Sequence, residues 1–476
     1  MMILSRIHPQ EGTPVIQFKP LSLAMALALS AFAPPAPAQP RPPAIGQATL
    51  ATRLGDPAAW STFQQCVAFL ERWAGRETPD WVVHSAIVSY TSRKPVYDAS
   101  GDPLLDAAGQ QVCVQVPESG RVFFPPSWRL PRNPRLPLVL YTHATMLAKT
   151  DVASEFGGHE WVLAAAAAVY YGFAVAMPDQ PGMGGDSQAY HTFCHAKSLA
   201  YAALDGLTAT EQLTGTDPYL AQRGYGWDGR LYVMGYSEGG FTALATVKEL
   251  EQHPEAYGSR FKLMGSACMA GPFDLSGTTR GEIIDPVKPF AHSFYLPYVI
   301  MAYQSIYGGV MDPQEVFAPV LLEDREDGNV VQWVDGFLDG LAVDALLGAR
   351  LGVPGDAVVL RSILNPDWLA RELDDPAYAT SRVRKLLLEN DLCGGWRPRH
   401  PILFCQSPAD KDVLLQNTLT TMAGLSAEIR KAGDDPDQFL AFLPIGKPTD
   451  QITHLEGALV AIPAAFNWIY SGMPVH

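Results

Sequence analysis

The chain is poor in positive charge and nearly devoid of long apolar runs. It holds 34 Lys and Arg against 49 Asp and Glu, a formal net charge of −15. That balance repels phosphate backbones and anionic lipid, which argues against nucleic acid or an acidic membrane surface as a partner. The one sustained apolar run near the amino terminus, Leu21 to Ala33, is too short for an ordinary spanning helix. No later stretch reaches transmembrane length. Arg6 and Lys19 precede that run, and Ala36-Pro37-Ala38 follows it, just before Gln39. Basic residues, an apolar core and an A-x-A site predict a secretory signal peptide over 1–38. The chain is therefore expected to be exported, periplasmic or extracellular, and large enough for one catalytic domain with an elaborate lid.

Cysteine is scarce as well. An oxidising compartment would permit Cys66, Cys113, Cys194, Cys268, Cys393 and Cys405 to pair, but spacing does not choose among the possible connectivities. Cys268 and Cys405 fall on expected interior strands, which suit a free, buried thiol equally well. Complete metal motifs are missing too. Asp98, Ser100 and Asp102 imitate the start of a calcium loop, yet Pro103 and Gly109 stand where glycine and glutamate are required. A hairpin turn is the expectation there. His191, Cys194 and His195 carry zinc-like ligand types, and on a helix the two histidines would share one face. No third histidine or carboxylate is tied to them by spacing, so no metal is assigned.

What is present is a nucleophile's setting. Gly235-Tyr236-Ser237-Glu238-Gly239 follows the strand-like Leu231-Tyr232-Val233-Met234 and precedes the helix-like Phe241 to Glu251. Strand, G-x-S-x-G, helix is the nucleophile elbow, a turn so sharp that the serine is pushed into open space. The turn also aims the backbone N–H of Glu238, at a helix N-terminus, toward a developing oxyanion. A nucleophilic serine needs a base, and the base needs an orienting acid, here in the chain order Ser, Asp or Glu, His. Pro401 to Cys405 predicts a buried strand whose carboxyl-end loop holds Asp410, the expected acid, with Asp412 as runner-up. His454 lies after the next strand, Gln438 to Leu443, and is the expected base.

From Leu138 onward, strands and helices alternate, as in a mostly parallel sheet covered on both faces. Strands are expected near 138–142, 173–177, 231–236, 263–269, 401–405 and 438–443. Helices are expected near 159–171, 196–214, 240–252, 413–432 and 456–470. Upstream, Ala58 to Trp73 has helical spacing, while Trp81 to Thr91 and Gln111 to Val116 predict strands. Between Asp274 and His400 the alternation breaks. The aromatic, helical segment there predicts a cap whose stripe of Phe290, Phe294, Tyr295, Tyr298, Tyr303 and Tyr307 mainly forms the cap's own core.

Two further segments carry a resemblance. Gly172 to Gly184, with Pro178-Asp179-Gln180-Pro181-Gly182-Met183-Gly184, resembles strand four of α/β-hydrolases, and Leu138 to Thr145 resembles their strand three and oxyanion loop. Within that superfamily the chain is similar to secreted bacterial and fungal lipases and esterases, over residues 80–275 and 390–470. The resemblance implies an α/β-hydrolase fold: a mostly parallel central sheet, helices on both faces and a large helical cap. Residues 39–136 would supply a leader, a helix and the first strands, 137–274 and 400–476 the core, and 275–399 the cap. It also implies a second oxyanion donor on the loop, the N–H of Ala144 or Thr145. His143-Ala144 stands where the family usually has His-Gly, and alanine is poor where a positive φ is required. His143 is expected to make a structural hydrogen bond.

The expected chemistry is hydrolysis of a small-molecule or lipid ester by Ser237, Asp410 and His454, through an acyl-enzyme and without metal or organic cofactor. Transient contact with a lipid interface is compatible with this. A peptidase of the prolyl-oligopeptidase type would share the elbow, although the chain lacks an obvious propeller repeat. An acyltransferase would pass the same acyl group to an alcohol, and a non-catalytic binding protein could use the same scaffold. Residue order settles neither acyl length nor oligomeric state.

Overall fold

In the computed structural model, residues 84–473 are described, apart from 126–129, 147, 156–159, 187–188, 258–260, 291 and 336–339. The expected signal segment, the helix at 58–73 and Cys66 lie outside the described residues. Eight strands form one sheet: β1 (His84–Pro95), β2 (Cys113–Phe124), β3 (Arg135–Thr142), β4 (Ala174–Pro178), β5 (Gly226–Tyr236), β6 (Lys262–Met269), β7 (Ile402–Gln406) and β8 (Leu440–Pro444). Their order is β1-β2-β4-β3-β5-β6-β7-β8. β2 runs antiparallel to both β1 and β4, and every pairing from β4 across to β8 is parallel.

Parallel strands need crossovers, and long helices supply them, with a last helix closing the chain after β8. These are α1 (Glu160–Tyr171), α2 (Ala196–Thr216), α3 (Glu238–Gln252), α4 (Tyr295–Tyr307), α5 (Gly340–Leu351), α6 (Leu415–Lys431) and α7 (His454–Tyr470). Side chains alternate across each strand, so every central strand feeds two cores. Tyr232, Met234 and Tyr236 of β5 join the core beneath α1 and α7, while Leu231 and Val233 join the one beneath α2 and α3. Each such fully buried aliphatic side chain stabilises the fold by about 1.5–3 kcal/mol relative to an exposed one. The alanine run of α1 is buried on all sides, because small side chains let that helix sit close between sheet and α7. No described helix is long and apolar enough to cross a membrane.

β2 differs from expectation: it continues past Val116 to Phe124. Pro117 and Ser119-Gly120 look like turn signals, but the strand is paired on both sides, Gly120 facing Val88 and Pro178. A Cβ at Gly120 would meet the Met177 carbonyl oxygen at 2.8 Å, so tertiary pairing selects glycine within a strand. The link between β1 and β2 turns at Asp98, whose carboxylate accepts the amides of Ser100 and Asp102 at 2.8 and 3.0 Å. The calcium-like spacing is thus an aspartate turn within an antiparallel hairpin.

Between β6 and β7 the chain leaves the sheet and builds a helical layer that includes α4 and α5. Phe290, Phe294, Tyr303 and Tyr307 are buried within it, whereas Tyr298 is half-buried.

Candidate active site

Ser237 stands between β5 and α3 with φ 58° and ψ −126°, a strained backbone for a residue bearing a side chain. Its amide is anchored to the Met269 carbonyl at 2.8 Å. The flanking glycines answer to crowding. A Cβ at Gly235 would lie 2.1 Å from the Gly239 carbonyl oxygen, and one at Gly239 would lie 2.1 Å from that of Thr142. The elbow is therefore pressed against the end of β3, where the Thr142 hydroxyl donates to the Gly239 carbonyl at 2.7 Å.

His454 is the first residue of α7, capped by Thr453 and Glu456. Its carbonyl accepts from the Tyr236 hydroxyl at 2.6 Å, and the Tyr236 ring packs against the imidazole. Nε2 lies 2.7 Å from Ser237 Oγ, and Nδ1 lies 2.6 Å from Asp410 Oδ2. With its proton on Nδ1 donated to the carboxylate, the ring presents Nε2 as acceptor for the serine hydroxyl. Asp410 Oδ1 accepts the amides of Asp412 and Val413, both at 3.0 Å, which holds the carboxylate in place. The Ser407 hydroxyl, bonded to the Ile452 carbonyl at 2.8 Å, ties the acid's loop to the histidine's.

Asp412 takes a different direction. Its Oδ2 lies 3.8 Å from Nε2 of His292 in the helical layer. Burial disfavours charge on His454, but its hydrogen bond to Asp410 and the carboxylates of Asp410, Asp412 and Glu160 outweigh that, leaving its pKa above the ordinary 6.5. A base must be neutral, so the acid limb of a kcat/KM–pH profile for ester turnover is expected above pH 6.5, activity rising as His454 deprotonates. A limb well below 6.5 would contradict this electrostatic balance.

The expected oxyanion donors fare differently. The Glu238 amide opens α3 and donates to no acceptor among the described residues, and the same holds for Thr145. Ala144 does not match expectation, because its amide already donates to Glu160 Oε2 at 2.8 Å. Nor does its backbone enter the positive-φ region, so alanine is unstrained there. Nδ1 of His143 lies 2.8 Å from the Ala144 carbonyl oxygen, and Nε2 lies 2.7 Å from that of Asp179.

The zinc-like trio separates in space. α2 begins only at Ala196, with His195 as its N-cap, so His191 lies outside the helix and the shared face never forms. His195 bonds the Ser198 and Tyr97 hydroxyls, and burial pushes its pKa down to about 3. His191 Nε2 instead meets Glu238 Oε1 at 2.6 Å, and its Nδ1 meets the Pro181 carbonyl at 2.7 Å. Both partners are acceptors. Burial opposes charge on this ring, but the Glu238 carboxylate prevails and raises its pKa. Glu238 thus pairs its side chain with a residue 47 positions away, a contact that sequence reasoning missed. The five described cysteines are free, so no disulfide exists among the described residues. An open cleft of about 470 Å³, solvent-facing space included, is lined by Thr145, Lys149, Met183, His191, Phe193 and Tyr298 beside the oxyanion loop.

This sheet order, with a strained serine at the β5–α3 turn, an acid after β7 and a histidine after β8, is the α/β-hydrolase fold. Solved structures bear the fold out. The rice cell wall degrading esterase LipA from Xanthomonas oryzae superimposes with a TM-score of 0.63 at 22% identity, over 85% of this chain and 95% of that one. Candida antarctica lipase A in its closed state gives 0.50 at 12% identity, over 85% and 80% of the two chains. No family model matches the sequence. Among curated proteins, mouse aquaporin-8 is 29% identical over 124 residues, a quarter of this chain. The chain spans 45% of that relative's length.

Proposed function

We propose that the protein is a serine hydrolase of carboxylic esters, working through an acyl-enzyme. His454 takes the proton of Ser237 as Oγ attacks the ester carbonyl, and Asp410 holds the imidazole tautomer and stabilises the imidazolium that forms. The Glu238 amide and one from the 144–145 loop stabilise the tetrahedral oxyanion. His454 then protonates the leaving alcohol, and water repeats the sequence on the acyl-enzyme. The observation that carries this reading is the unbroken line from Ser237 Oγ through the His454 ring to Asp410, at 2.7 and 2.6 Å. The esterase and lipase among the structural neighbours support it as an analogy of fold. Export, with cleavage after Ala38, belongs to the same proposal.

The test is a panel of p-nitrophenyl esters from acetate to palmitate, run beside matched p-nitroanilides and with added acceptor alcohols. Ester hydrolysis should exceed anilide hydrolysis by orders of magnitude. Preferred anilide cleavage would make the protein a peptidase, and dominant ester exchange onto the alcohol would make it an acyltransferase. Dominance of the shortest acyl chains would mark an esterase, and dominance of long chains a lipase.

A further inference from the structure

The partner of the Ala144 amide lies on another element. Glu160, the first residue of α1, accepts that amide on Oε2 at 2.8 Å, while its Oε1 accepts the hydroxyl of Tyr141. Tyr141 is fully buried near the end of β3. One carboxyl group therefore bridges a rigid strand and the loop leaving it. Residues 143–145 have no regular secondary structure, so side-chain bonds must hold them. His143 grips the Asp179 carbonyl, Gln180 Nε2 donates to the His143 carbonyl at 2.8 Å, and Glu160 takes the next amide. Thr145 follows directly, its own amide unclaimed among the described residues and the residue itself lining the open cleft.

We propose that Glu160 is the positioning residue of the oxyanion loop: by holding the Ala144 amide it turns that group away from the substrate and leaves Thr145 N–H to join Glu238 N–H at the oxyanion. This rests on the serine-hydrolase reading above. The groups facing the carboxyl are Tyr141 from β3, Ala144 from the loop, His454 from α7 and Glu238 from α3. Burial raises its pKa to about 7, against the lowering effect of its hydrogen bonds to Tyr141 and Ala144. The charge of Glu160 acts on His454, whose pKa it helps to raise, so its loss should move the acid limb of the pH profile downward and leave the loop's geometry as it was. What the loop requires is an acceptor for the Ala144 amide, and a neutral amide side chain of the same length supplies one.

Glu160→Ala removes the acceptor and Glu160→Gln retains it. For Glu160→Ala, kcat on a p-nitrophenyl ester should fall about 10- to 100-fold with KM changed by less than about threefold, as expected when a donor is misplaced only in the transition state. The rate of Ser237 phosphonylation by a fluorophosphonate should fall in parallel. Glu160→Gln should stay within about threefold of the parent on both measures. If Glu160→Ala does not fold, Glu160→Asp serves in its place. One methylene too short to span both partners, it should show the same kcat loss. Wild-type kcat in Glu160→Ala or Glu160→Asp would overturn the proposal, as would a Glu160→Gln loss as large as that of Glu160→Ala. Failure of the parent protein itself to react with the fluorophosphonate would remove the serine-hydrolase reading, and this proposal with it.

Discussion

Ser237→Ala should lower ester turnover by about a million-fold, to the level left by binding and the oxyanion donors alone, as in serine hydrolases whose nucleophile is removed. Fold stability should hardly change. Among the described residues the hydroxyl makes one hydrogen bond, to His454, and the strained φ of 58° belongs to the backbone. The two effects separate cleanly when kcat is measured beside a thermal melt. A variant with an unaltered melt and wild-type turnover would show that Oγ is not the attacking atom, whatever the geometry suggests.

The next largest effect is expected at Asp410. Its Oδ2 sits 2.6 Å from Nδ1 of His454, and its Oδ1 is held by two backbone amides. Asp410→Asn preserves the shape but offers an N–H or a weaker acceptor to the imidazole, favouring the wrong tautomer. In a serine protease the same change costs about 10⁴ in kcat. A loss of that order is expected here, with KM little altered. Asp412→Ala should keep kcat within about tenfold, because Asp412 reaches His454 only through longer-range attraction and points to His292. Asp412 also helps raise the pKa of His454, so its removal should move the acid limb of the pH profile downward. Equal losses from the two substitutions, or a larger one from Asp412→Ala, would transfer the acid's role.

How much of this was legible beforehand varies with the range of the interactions involved. The elbow rests on contacts within a few residues: an apolar strand, two glycines that crowding demands, and a helix start. Ser237 and the Glu238 amide could therefore be read locally. The parallel strands were legible because burial on both faces leaves continuous apolar runs, as in Ile402–Gln406. β2 was read too short because pairing with β1 overrides the turn character of Pro117, and pairing with both β1 and β4 overrides that of Gly120. Asp410 was preferred to Asp412 only for its place at the end of the strand, and loop conformation is what turns its carboxylate, not that of Asp412, toward His454.

Glu160 left no motif at all. It begins a helix 16 positions beyond Ala144, and only the packing of α1 against the sheet shows that its carboxyl meets that amide. The same holds for the pair between His191 and Glu238. A glutamate at the second elbow position reads as a neutral variation until the fold brings an imidazole within 2.6 Å of it. Spacing suggested that His191 and His195 share a helix face, whereas the helix starts one residue after His195.

The order of chemical residue types and the alternation of apolar segments by themselves determined a doubly covered sheet, a serine at its sharpest turn, and candidate acid and base on later loops. These features are local: they follow from side-chain period and backbone strain within one segment. Which carboxylate meets the catalytic imidazole, which loop amide Glu160 takes, and which buried imidazole pairs with Glu238 were decided only by tertiary structure. Each depends on two segments far apart in the chain meeting within hydrogen-bond distance, and no pattern along a single segment encodes that meeting.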